Sequence, residues 1–138
     1  IAETLDRLVA GSEIPIFVAV HSFTPQLNGG DARLWHIGLL WEHDGRLVAP
    51  LRAAFSSLVP DICIGHNQPY AIVGPSDYSI PEHGQNRGLP HIEIEIRQDL
   101  IDTQEGAELW ARRVAEALES MRTEHGPFEM LTPVKHNP

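Results

Sequence analysis

Cysteine occurs once in the 138 residues, as Cys63, so no internal disulfide can form and a reducing compartment is expected. Set in the apolar run Asp61 to Gly65, that thiol reads as a small buried hydrophobe. Basic residues are also scarce: 10 Lys and Arg stand against 19 Asp and Glu, for a formal net charge of -9. A field of that sign repels phosphate backbones and anionic headgroups, which argues against nucleic acid and membranes as partners. Long apolar runs are missing, since no stretch approaches the roughly 18 residues of a membrane span. No charged-then-apolar leader opens the chain, and the expectation is a soluble, cytoplasmic protein. Several motifs are absent as well. There is no HExxH, no GxSxG elbow, no P-loop or GxGxxG, no repeat and no low-complexity tract, so any site must be assembled from separated segments.

What is present suffices for a folded unit: 42% of residues are hydrophobic, and the length fits one domain. The first eleven residues have helical periodicity through Ile1, Leu5, Leu8 and Val9, with Gly11 placed to end the helix and no capping residue before it. A helix without a start signal suggests a chain cut inside a larger protein. Pro15 to Val20 is a continuous apolar run, read as a buried central strand that delivers His21 just past its carboxyl end. Leu34 to Trp41 is a second apolar run.

Further on, Leu47, Leu51, Ala54, Phe55 and Leu58 follow helical spacing, with Asp44 as the candidate cap. Asp61 to Gly65 reads as a short strand, and Gly74 to Pro90 as a long irregular loop of the kind that tends to be functional. His91 to Arg97 alternates strictly between isoleucine and charge. Asp102 with Glu105 resembles a capping box for a last helix, whose stripe is Leu109, Trp110, Val114, Ala117, Leu118 and Met121 and whose stop is Gly126-Pro127. Alternating strands and helices of these lengths give an α/β fold with a mostly parallel sheet flanked by helices.

The strand Ile92 to Arg97 is the most informative segment. Glu93, Glu95 and Arg97 must project from one face, beside a loop carrying His83 and His91. Such a face suits metal-assisted hydrolysis, in which a carboxylate takes the proton of a metal-bound water and an arginine receives a substrate carboxylate. An ordinary solvated strand face has the same pattern. His21 is a natural zinc ligand by type, and equally a hydrogen-bonded loop histidine. Asn67, Gln68 and Tyr70 offer amide and phenol groups to a polar substrate, or form a turn. Trp35, Trp41 and Trp110 read as core or rim packing.

Taken in order, HSFTP, RLWHIGLLWEHDGRL, GHNQPY and DYSIPEHGQNRGLPHIEIEIRQDLI resemble the successive blocks of the N-formylglutamate amidohydrolase family. The last block is the most specific. The resemblance spans about residues 15 to 118 and implies a zinc-carboxypeptidase-like (phosphorylase/hydrolase-like) three-layer α/β fold. It also implies hydrolysis of N-formyl-L-glutamate to formate and glutamate, a step of histidine breakdown. By the same resemblance His21 is a metal ligand for zinc, and Glu95 is the general base and acid, with Glu93 competing for the role. Arg33, Arg87 and Arg97 are candidates for the substrate carboxylates, and Asn67 and Tyr70 for orienting the amide. Family members commonly read GDNEPY where this chain has His66 and Gln68 in GHNQPY. The family's N-terminal half, with its remaining metal ligands, is absent from the sequence. The expectation is therefore one domain, the C-terminal part of a larger amidohydrolase, with an incomplete ligand set. The alternatives are a catalytically inactive binding domain or incomplete fragment of this fold, and a related zinc carboxypeptidase or deacylase with another acyl-amino-acid substrate.

Overall fold

The computed structural model describes residues 1–11, 14–73 and 77–133. In chain order the elements are α1 (Ala2–Val9), β1 (Phe17–Phe23), β2 (Ile37–Leu40), α2 (Val48–Leu58), β3 (Ile64–His66), β4 (His91–Arg97) and α3 (Gln104–His125). Between β3 and β4 lie a single π-helical turn, Ile80–Gly84, and a 3-10 turn, Gln85–Arg87; a second 3-10 turn, Gln98–Leu100, follows β4.

Four strands form one mixed sheet in the order β1-β4-β2-β3. β1 with β4 and β2 with β3 are parallel pairs, whereas β2 and β4 run antiparallel. The alternation in His91 to Arg97 sorts its side chains as the pattern requires. Ile92, Ile94 and Ile96 enter the main core with Ile37, Leu39, Leu51, Phe55, Trp110 and other residues of α2 and α3. The opposite face carries Glu93 and Glu95, with a small second core of Ala19, Leu40, Ile72 and Ile80 beside them. Helices α2 and α3 thus seal one face, and the loop before β4 covers part of the other.

Several sequence expectations are corrected. β1, expected at the centre of the sheet, is an edge strand: among the described residues it pairs only with β4, and Val20 is 55% exposed. A continuous apolar run needs cover on its faces and leaves lateral position open, so the central place falls to β4. His21 lies within β1 and not beyond it, because pairing with β4 continues to Phe23 opposite Arg97. Asp44 is not the cap of α2, whose N-cap is Leu47; its carboxylate instead takes the backbone N–H and side chain of Arg46. For α3 the N-cap is Thr103, whose hydroxyl accepts from the Gly106 N–H at 3.1 Å, one residue later than the Asp102 expected from sequence.

In α1 only Leu5 is buried, while Ile1, Leu8 and Val9 remain exposed. Cys63 is half-buried. Of the expected α3 stripe, Trp110, Val114, Ala117 and Met121 are buried, and Leu109 is exposed. Residues 74–76 of the expected loop and 134–138 of the tail lie outside the described residues. Up to 133 the tail follows the surface, where the Leu131 N–H bonds the Gly88 carbonyl at 2.8 Å and Arg46 bonds the Glu129 carbonyl.

Candidate active site

Parallel pairing places His21 of β1 directly beside Glu95 of β4, and Ala19 beside Glu93. Residues paired in this way project to the same face, so the imidazole and both carboxylates converge without any sequence motif linking them. They line one cavity of about 310 Å3 together with Tyr70, Asp77 and Tyr78. His21 Nε2 lies 4.0 Å from Glu93 Oε2, and half of the imidazole is exposed.

Glu95 is 5% exposed and its Oε2 is buried with no hydrogen-bond partner among the described residues. Burial raises its carboxyl to about 7, nearby Glu93 pushes in the same direction, and His21 and Arg33 oppose. Glu93 is raised as well, first by burial, with His21 lowering it and Asp77 raising it. Desolvation and like charge favour the neutral acid, so Glu95 takes up and releases its proton near neutral pH, while Glu93 is held above its ordinary range.

Arg33 stands at the rim. Its Nη1 donates to the Tyr70 hydroxyl at 3.0 Å and to the Thr24 carbonyl at 3.1 Å, and its guanidinium carbon lies 4.9 Å from the centre of the Tyr70 ring. Of the residues singled out from sequence, the structure therefore brings together His21, Glu93, Glu95, Tyr70 and Arg33.

The other three are engaged elsewhere. Arg97 forms an ion pair with Asp99 and donates to the carbonyls of Arg33 and Trp35, which pins the segment that carries Arg33. The Arg97 hydrogen bond holds the exposed Asp99 carboxyl below its ordinary range. Arg87 pairs with Asp6 of α1. Asn67 adopts a positive φ of 51° and its side-chain oxygen accepts from the Trp41 N–H at 2.9 Å, fixing the turn that leads to Tyr70.

His83 and His91 do not line the cavity. His91 Nδ1 donates to the Leu89 carbonyl at 2.7 Å, and burial lowers its pKa. His83 meets the rings of Phe17 and Tyr78 edge-on, each at 5.7 Å. Asp77, Tyr78 and Ser79 line the cavity and escaped the sequence reading. They fall in the Gly/Pro-rich stretch, where no periodicity indicates which side chains point inward. His66 and Gln68, which depart from the common GDNEPY pattern, do not line it either.

Two histidine or carboxylate donors face each other at 4.0 Å, but no group of three His, Cys, Asp or Glu capable of holding a metal ion occurs among the described residues. The described donors do not complete a metal site.

The fold is thus a mixed α/β unit that gathers two carboxyls with raised pKa and an imidazole in one cavity, with a guanidinium at its rim. The family is identified independently: the model of the N-formylglutamate amidohydrolase family matches residues 1–102, and the chain belongs to that family. Among solved structures the chain is similar to the gene product Atu2144 from Agrobacterium tumefaciens, at 27% identity and a TM-score of 0.70. The match covers 88% of this chain and 48% of that one, so the chain spans about half the length of that structure. No curated protein matches. No helix among the described residues is long and apolar enough to cross a membrane.

Proposed function

We propose that the protein hydrolyses the amide of an N-acylated acidic amino acid, N-formyl-L-glutamate first among the candidates, giving formate and glutamate. The observation that carries this reading is the buried Glu95 oxygen, without a hydrogen-bond partner among the described residues, in a cavity shared with Glu93 and His21, in a chain of an amidohydrolase family. In the proposed reaction Glu95 removes a proton from water as the new C–O bond forms at the acyl carbon. It returns that proton to the amine nitrogen as the C–N bond breaks. Glu93 is the second candidate for this role. Arg33, oriented by Tyr70, receives a substrate carboxylate at the rim. In this reading Asn67, Arg87 and Arg97 shape the site and do not touch the substrate.

Zinc dependence and a zinc-carboxypeptidase-like architecture belong to the same proposal, with His21 as one ligand. When bound, such an ion would polarise the acyl carbonyl and acidify water. The incomplete donor set supports a second reading, a binding domain of this fold without turnover. Formate release from N-formyl-L-glutamate, measured with added zinc and with chelator, separates the two. Zinc-dependent release supports the hydrolase. Saturable binding of N-formyl-L-glutamate without release in either condition supports the binding domain.

A further inference from the structure

On the helix side of the sheet, a second basin of about 370 Å3 is lined by Arg52, Ser56, Ile62, Ile64 and His66. Arg52 and Ser56 stand four residues apart on α2, so their side chains share one face of the helix, and both are exposed. Arg52 makes no ion pair among the described residues, unlike Arg46, Arg87, Arg97 and Arg122. His66 ends β3 and meets the Trp41 ring edge-on at 6.0 Å. Among the described residues no carboxylate lines the basin, although acidic residues outnumber basic ones 19 to 10 in the chain and three carboxylates line the cavity on the opposite face. The local sign of charge is reversed with respect to the whole molecule.

We propose that this basin binds a compact oxyanion of the phosphate or carboxylate type, at a site separate from the acid–base cavity. A guanidinium presents paired N–H donors in the geometry that a planar or tetrahedral oxyanion accepts. The Ser56 hydroxyl, on the same face of α2, and the His66 imidazole at the end of β3 add further hydrogen-bonding groups to the lining. Ile62 and Ile64 supply an apolar wall, which suits the carbon skeleton of an organic anion better than bare inorganic phosphate. The opposite cavity differs in lining: Glu93, Glu95 and Asp77 face it, and its guanidinium, Arg33, stands at the rim beside Tyr70.

The test is calorimetric titration with inorganic phosphate, phenyl phosphate and acetate, each at ionic strength held constant with sodium chloride, alongside NMR of the His66 ring. Saturable binding of at least one probe that shifts His66 is expected. Arg52→Ala should weaken it at least about tenfold, as loss of a charge-assisted paired contact implies. Arg33→Ala should leave it unchanged. The ranking of the probes identifies the source: phenyl phosphate first indicates an organic phosphate, acetate first a carboxylate. Non-saturable heats, indifference to Arg52→Ala, or loss on Arg33→Ala instead would overturn the proposal. Arg52→Lys, which keeps the charge and removes the planar fork, carries the test if Arg52→Ala lowers the melting temperature.

Discussion

Glu95 is where sequence, packing and chemistry meet in one residue. Its strand position follows from alternation, its burial comes from the sheet and the loop above it, and its proton affinity follows from that burial. If it transfers the proton in hydrolysis, Glu95→Gln should lower kcat by about 10²- to 10⁴-fold, the usual contribution of a positioned acid–base group. Binding of N-formyl-L-glutamate, measured by calorimetry, should survive. A variant with unaltered kcat would remove Glu95 from the mechanism.

The same carboxyl makes stability depend on pH. Its pKa rises from 4.5 to about 7 on folding, so the folded protein binds more protons than the unfolded chain between those values. The associated stability is fully present below 4.5 and is lost as pH rises through about 7. In the presence of chelator, thermal midpoints should fall between pH 5 and pH 8. Glu95→Gln should flatten that fall without abolishing it, because Glu93 is shifted in the same direction. An equally steep fall in the variant would assign the dependence to other groups.

Among the elements, β4 and α3 show how much periodicity can reveal and where it stops. Strict alternation in HIEIEIR fixed both the strand and its faces, since a one-residue slip would expose three isoleucines. The α3 stripe was equally legible in Trp110, Val114, Ala117 and Met121, but its start was displaced by one residue. Asp102 and Thr103 are both good caps by type, and only the local backbone selects the one whose oxygen reaches an unpaired N–H. Thr103→Ala should therefore cost about 1 kcal/mol in urea unfolding, and Asp102→Ala much less. Equal effects would restore the capping box.

At the scale of the whole molecule, the GHNQPY turn has to pack against the sheet for Tyr70 to reach the cavity. Gly38 of β2 pairs with Glu95, and a Cβ added there would collide with the Gln68 backbone and come within 3.3 Å of the Glu95 Cβ. Gly38→Ala should thus destabilise the fold by about 1–3 kcal/mol, the range for overpacking, and, if the protein is the proposed hydrolase, should also reduce turnover by moving Tyr70 and Glu95 apart. Urea titration and formate release together check both effects. A stable and fully active variant would show that the turn docks independently of this glycine.

The sequence by itself determined the charge, the order and approximate places of the main helices and strands, the two faces of β4 and the family, because these depend on residue type and on short-range periodicity. Tertiary structure decided what lies across from what. It made β1 an edge strand and His21 a member of it, paired His21 with Glu95, turned Arg97 and Asn67 inward to hold loops, and brought Asp77 and Tyr78 into the cavity. Those outcomes rest on strand order and loop path, which are set by long-range packing between segments as far apart as residues 21 and 95, and no local pattern encodes that distance.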